Sequence, residues 1–349
     1  MADPNHVHVE ISTGSIFRVI MVVLLLLLFY VLKDILIILL FAIIIASATS
    51  PFANWLEKRR IPRLFGVLIL YLVIFGLVIL VLSLIVPFAS DELTQLTAVF
   101  PIIVEKVSSS LDTVQGGSPR YFDFVNEVQN LLDSFSNYLQ QFAQSTVGLI
   151  VSIFGGIFSF VAIIVISFYL SVMKRGIESF LSSVVPEKYE TYAIDLWKRS
   201  EIKVGRWLQG QLLLALIVGL IVYVGLSLLN IKFALVFGLL AMLLEIVPIA
   251  GPVLASIPAI FLAFLENPTL GLWVILFYVV VQQIENHILV PLVLGKTTGL
   301  NPVVVILALL IGGKLAGVAG AILGVPVATI LVEILDDMAR HKESRRANS

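Results

Sequence analysis

Cysteine is absent from this chain, and charge is scarce: only 13% of its 349 residues are Asp, Glu, Lys or Arg, with a formal net charge of -1. Without cysteine there is no disulfide, no thiolate nucleophile and no cysteine metal site, although that says little about redox compartment. A near-neutral balance provides no field for nucleic acid or for a strongly charged partner. Histidine is thin as well. His6 and His8 lie in a polar N-terminal tail that reads as a disordered end with at most weak metal affinity, and His287 and His341 stand apart from any carboxylate-rich ligand set. No HExxH, GxSxG, P-loop or strand-to-helix GxGxxG is present. The chain therefore reads as a non-enzyme without resident cofactor or metal, and one that does not burn ATP itself.

What is present is apolar sequence in long blocks. Hydrophobic residues make up 59% of the chain, against about 45–50% in soluble domains. A helix crosses the roughly 30 Å hydrocarbon layer with about 20 apolar residues. Segments 16–32, 35–54, 64–88, 147–173, 208–229 and 269–291 meet that requirement. Sustained two-residue alternation is missing, which argues against a β-barrel. Ile16–Leu32 resembles a signal-peptide core followed by small residues at Ala46-Ser47-Ala48. However, Arg18 is the one preceding positive charge and a second apolar run intervenes, so a retained transmembrane pair is the better reading.

Two further apolar segments are interrupted. The run 233–265 is broken by PIAGP at 248–252, leaving arms of about 15 and 13 residues, and 302–335 is broken by GGKLAG at 312–317 after about 11 residues. Such arms suit re-entrant hairpins, whose non-helical tips must be buried in protein or line a wet cavity. Basic residues set the orientation. Lys58, Arg59, Arg60 and Arg63 follow the second span, Lys174 to Arg206 follow the fourth, and Arg340 to Arg346 form the tail, whereas 89–146 holds only Lys106 and Arg120 against seven acidic residues.

The predicted fold is all-α and polytopic. It has a cytoplasmic tail (1–15), three spans (16–88), an extracytoplasmic amphipathic helical insertion (89–146) and a fourth span (147–173). A cytoplasmic amphipathic helix (174–207), a transport core (208–335) and a cytoplasmic basic tail (336–349) follow. In all, about six full transmembrane helices accompany two broken hairpins (233–265 and 302–335) of inverted orientation, with both termini cytoplasmic in a bacterial inner membrane.

Charged and polar residues inside apolar segments are the candidate site, because a charge at the bilayer centre costs upward of about 2.5 kcal/mol and so usually faces protein or water. Glu245 precedes Pro248, Gly251 and Pro252. Gln282, Glu285 and Asn286 share one helical face by their spacing. Lys314 sits among Gly312, Gly313 and Gly317. The carboxylates can carry a proton or bind a cation such as Na+, and freed backbone groups at the two breaks can coordinate a solute. Each also has a structural reading: snorkelling for Glu285, neutralisation by a carboxylate for Lys314, a helix cap for Glu245, close packing for the glycines.

The motifs E-IVPIAGP and Q-IENHILVPLVLGKTTGLNPVVVILALLIGGKLAGVAGAILGVP, with LEKRRIPR after the second span, Pro186 and Gly210-Gln211, resemble the bacterial autoinducer-2 exporter family of permeases. The pattern matches at Glu245, Pro248, Gly251, Pro252, Gln282, Glu285, Asn286, Pro291, Pro302, Gly313, Gly317, Gly320 and Pro326. It departs at Ala250, where the family usually has an aromatic, and at Lys314, where it often has an acid. The resemblance implies a homo-oligomeric permease that exports the quorum-sensing signal, or that exchanges Na+ or Li+ for protons by antiport. The expected partners are thus a small polar solute or monovalent cation and membrane lipid, with no nucleic acid. The alternative is a non-transporting scaffold that recruits partners through 89–146.

Overall fold

The computed structural model describes residues 13–77, 79, 80, 95, 156–294 and 300–347. Apart from residue 95, the insertion 89–146 lies outside the described residues, as does 147–155 of the segment 147–173. Within them the chain is helix and turn, with no strand. Helices α1 (Thr13–Val31), α2 (Lys33–Lys58) and α3 (Arg63–Leu77) are followed by α4 (Ile157–Val172) and α5 (Gly176–Val184). Next come α6 (Glu187–Leu228), α7 (Ala234–Leu244), α8 (Ala250–Glu266) and α9 (Pro268–Ile284). A π-helical turn (Glu285–Leu289), the short α10 (Val290–Val293) and α11 (Pro302–Ala347) complete the chain.

Four of these stretches are long and apolar enough to cross a membrane: Lys33–Lys58, Glu187–Leu228, Pro268–Val293 and Pro302–Arg340. The pair α4–α5, bent by 86°, makes a fifth only if the two helices count as one span. The bend comes just where Lys174 and Arg175 end the apolar run. Pro186 stands at the N-cap of α6, the position where a missing N–H is harmless. From there a single 42-residue helix runs through the amphipathic stretch into the apolar one without a break.

Close packing rather than water exclusion holds helices together in lipid, so small residues mark the contacts. One core joins α6, α7, α8 and α9 through Val218, Val222, Phe237, Val274 and a set of alanines that includes Ala241, Ala255, Ala259 and Ala263. Here a β-carbon on Gly219 would come within 2.9 Å of the Gly238 carbonyl oxygen, and the reverse holds for Gly238. A second core joins Phe41 and Ile44 of α2, Ile163 of α4, Val204 and Trp207 of α6, and Ile322, Leu323 and Val325 of α11. Tyr71 Oη lies 2.9 Å from Ser167 Oγ, and Thr49 Oγ1 2.9 Å from Ser171 Oγ, binding α2 and α3 to α4.

Helices α7 and α8 form the first hairpin. Its arms hold 11 and 17 residues, and the non-helical tip is Glu245–Ile249 rather than PIAGP. Proline explains the shift. Pro248 disfavours helix in the residues before it, whereas Pro252 falls in the first turn of α8, where its missing N–H is tolerated. The tip is tight: a β-carbon on Gly251 would come within 1.9 Å of the Leu244 carbonyl oxygen.

The second hairpin is α11 itself. Its 39-residue apolar length is not one crossing, because Ala316 (φ -143°) and Gly317 (φ 59°) leave the helix and the chain turns back. Gly312 faces the carbonyl of Gly320, and Gly324 that of Ala308, pairings that place the arms antiparallel about residue 316. Gly312 and Gly313, expected in the break, remain helical; Gly312 serves the packing of the arms instead. The first arm, 302–315, spans about 21 Å and is too short to cross.

Charges gather at one end of the bundle. Lys174 and Arg63 both pair with Glu57, and Arg199 and Lys203 both pair with Glu333. Lys232 and Glu266, 3.7 Å apart, close the base of the first hairpin beyond the other end of α6. The two hairpins thus open toward opposite ends of α6.

Candidate functional site

The tip of the first hairpin carries its acid at the point where the helix stops. Glu245 caps α7, its N–H still bound to the Ala241 carbonyl, while its side chain is turned inward and 1% exposed. Val247 N–H reaches Leu244 O at 2.9 Å, and Ala250 N–H reaches Pro248 O at 2.7 Å across a single residue. That residue, Ile249, has φ 68° and ψ -53°. An i to i+2 bond with these angles is the γ-turn that is rare and strained, and a β-branched residue in it is a true outlier. Backbone strain of about 1–3 kcal/mol persists only where the surroundings enforce it, and it gathers at functional sites.

Helix α9 brings the second acid. Glu285 opens the π-helical turn, in which Val290 N–H reaches back five residues to the Glu285 carbonyl. The side chain is 3% exposed and takes Gln282 as a hydrogen-bond partner. π-turns of this kind insert one residue into a helix and recur at functional sites. Of the three residues grouped by spacing, Gln282 is half-buried and Glu285 buried, whereas Asn286 is exposed, as is His287, whose Nδ1 lies 3.1 Å from the Gln283 carbonyl.

Glu245 and Glu285 lie within electrostatic reach of one another. Each has one carboxylate oxygen, Oε2, buried without a hydrogen-bond partner. Neither takes part in any ion pair found among the described residues. A buried, unpaired carboxylate is expensive, so two of them within reach of each other's charge can hold positive charge, either protons or a cation.

The remaining residues singled out in the sequence fall into two groups. Pro248, Gly251 and Pro252 shape the tip beside Glu245, and the latter two are buried. Gly312, Gly313, Lys314 and Gly317 belong to the second hairpin, where Lys314 and Gly317 are exposed. The second hairpin meets the first through its descending arm: Ile246 and Val247 pack against the core that contains Ile322, Leu323 and Val325. Its tip residues are not part of that contact.

A buried polar residue that the sequence offered only within the Gly210-Gln211 motif stands beside Glu245. Gln211 of α6 is 2% exposed and donates its amide N–H to the main-chain carbonyl of Glu245. Its sequence signal was faint, because Gln209 and Gln211 open the apolar run 208–229 and look like an interfacial edge. Gly210 beside it is pressed against Leu294, so α6 touches both the tip and the segment after the π-turn.

Comparison with known proteins fits this arrangement. "Putative transport protein YueF" of Bacillus subtilis is 27% identical over 81% of this chain and 78% of its own length. "AI-2 transport protein TqsA" of Escherichia coli is 26% identical over 84% of this chain and 82% of its own. The sequence pattern described as "AI-2E family transporter" matches residues 19–340. A multi-pass helical chain with two broken hairpins and buried acids at its centre thus belongs to the AI-2E transporter family.

Proposed function

We propose that this protein is a secondary transporter in which Glu245 and Glu285 form an exchange site for a proton or a monovalent cation. The observation that carries this reading is the pair itself: two buried carboxylates, each with an unpartnered oxygen, at a helix break within the membrane region. Charge at membrane depth without a resident counter-ion is the pattern of proton relays and ion pathways. Broken helices facing each other from opposite ends supply the two gates of an alternating-access cycle. We read the basic end of the bundle as cytoplasmic by the positive-inside bias, with both termini on that side and a bacterial inner membrane as the host. The transported species is the monovalent cation itself, exchanged for protons. A second reading, export of a small polar signalling metabolite driven by the same exchange, draws on the name of the Escherichia coli relative.

Flux in liposomes containing the purified chain tests this directly. A pH gradient should drive Na+ or Li+ movement through the wild type, or failing that, movement of a small polar metabolite. Glu245→Gln should insert and fold yet lose all proton-coupled flux. Undiminished flux with an unchanged pH profile in Glu245→Gln would remove the pair from the mechanism. A wild type that moves nothing would favour the scaffold.

A further inference from the structure

Gln211 is bound on one side only. Its amide nitrogen donates to the Glu245 carbonyl, while its amide oxygen, Oε1, is buried and has no partner. The orientation is fixed by chemistry, since flipping the amide would set oxygen against oxygen. Glu245 Oε2 and Glu285 Oε2 are buried and unpartnered as well. Three acceptor oxygens without a donor are thus carried by α6, the hairpin tip and the π-turn, elements joined by the Gln211–Glu245 hydrogen bond and the Gly210–Leu294 contact. An unsatisfied buried acceptor costs about 1–3 kcal/mol, and more if charged.

Protons meet this demand indirectly: each carboxyl can take one, and the amide oxygen, which is not protonated in this range, must then accept from a protonated carboxyl. A small cation meets all three at once, because carboxylate and amide oxygens are the hard ligands that alkali and alkaline-earth ions prefer. Formal charge decides between those ions. Among the described residues no three His, Cys, Asp or Glu side chains come together to hold a metal. Two acids hold one monovalent ion with one proton retained, so that the ion exchanges for a single proton; a divalent ion would displace both protons.

We propose that Gln211 is a ligand of the transported ion, its Oε1 completing a monovalent-cation site with Glu245 and Glu285 and selecting the cation over protons alone. This rests on the exchange-site reading above. In the cation-loaded state Oε1 faces the ion; when the ion leaves, a protonated Glu245 can donate to the same oxygen. The amide thus serves both states without changing its grip on the tip. Gln211 also couples the site to the hairpin, because the same side chain holds the ion and the Glu245 peptide.

Direct binding of Na+ to the purified full chain, measured with radioactive Na+ against Li+ and K+ at several pH values, separates the possibilities. Gln211→Met keeps the shape but removes both donor and acceptor, and should weaken Na+ binding at least tenfold. Gln211→Glu keeps oxygens in place and, above the pH at which it ionises, has no donor; there it should restore saturable Na+ binding, with a pH dependence displaced from wild type. If Gln211 only fastens the tip, both variants lack the donor at that pH and both should fail alike; that result overturns the proposal. Wild-type Na+ affinity in Gln211→Met overturns it too, as does a wild type that binds neither Na+ nor Li+. Glu245→Gln and Glu285→Gln keep the two failures apart. If they lose binding while Gln211→Met retains it, only the role of Gln211 falls; if all three bind like wild type, the exchange site falls with it.

Discussion

Two acidic clusters in this molecule are treated in opposite ways. At the charged end of the bundle, Glu333 is 4% exposed, yet Arg199 and Lys203 both reach its oxygens. Asp337 one turn on takes Arg199 Nη2 at 2.6 Å, and Arg340 and Asp195 extend the network. Glu245 and Glu285 are as deeply buried and have no basic side chain at all among the ion pairs of the described residues. A paired acid holds helices together, here α6 to the descending arm of α11. An unpaired one is a site whose counter-charge comes and goes.

The comparison breaks most sharply if the central pair is given a permanent cation. Gln211→Lys places an ammonium beside Glu245, and we expect transport to be abolished while thermal stability rises, measured as flux and as melting temperature in the same preparation. Normal flux in that variant would mean that the pair needs no exchangeable charge. The converse is to strip the rim. Arg199→Ala with Lys203→Ala leaves Glu333 buried without a partner, which should lower stability by about 3–5 kcal/mol. A denaturant titration in detergent reads this, and because this acid lies outside the exchange site, ion binding at low temperature should persist. Smallest is the strained turn. Ile249→Gly relieves the positive φ, and strain of about 1–3 kcal/mol less the entropy of glycine leaves a net gain of about 1 kcal/mol. A thermal melt that falls instead would show that the Ile249 side chain contributes more than its backbone costs.

How much of this was readable beforehand follows from which interactions are local. Glu245 and Glu285 stood out because a charge in an apolar run is anomalous whatever the fold. Both helix breaks were legible in their prolines and glycines, though the first lies three residues upstream, since proline acts on the residues before it. Asn286 was grouped with Gln282 and Glu285 by spacing, which does not say which of three neighbouring side chains another helix covers; it is exposed. That the two acids meet depends on tertiary packing that no spacing encodes, as does the role of Gln211, whose partner is 34 positions away. The rim network shows the same limit: Arg199 counted in the sequence only as one of the basic residues after the fourth span, and its partner Glu333 is 134 positions away.

The central claim is that binding of a monovalent cation at Glu245 and Glu285 displaces a proton from them. Infrared difference spectra of the reconstituted chain, recorded as Na+ is added at constant pH, observe that exchange without relying on flux. The account predicts loss of a protonated-carboxyl band in the wild type, and no such band in the double variant Glu245→Gln, Glu285→Gln. An undiminished band in the double variant, or wild-type protein that binds Na+ with no change in any carboxyl, would contradict it.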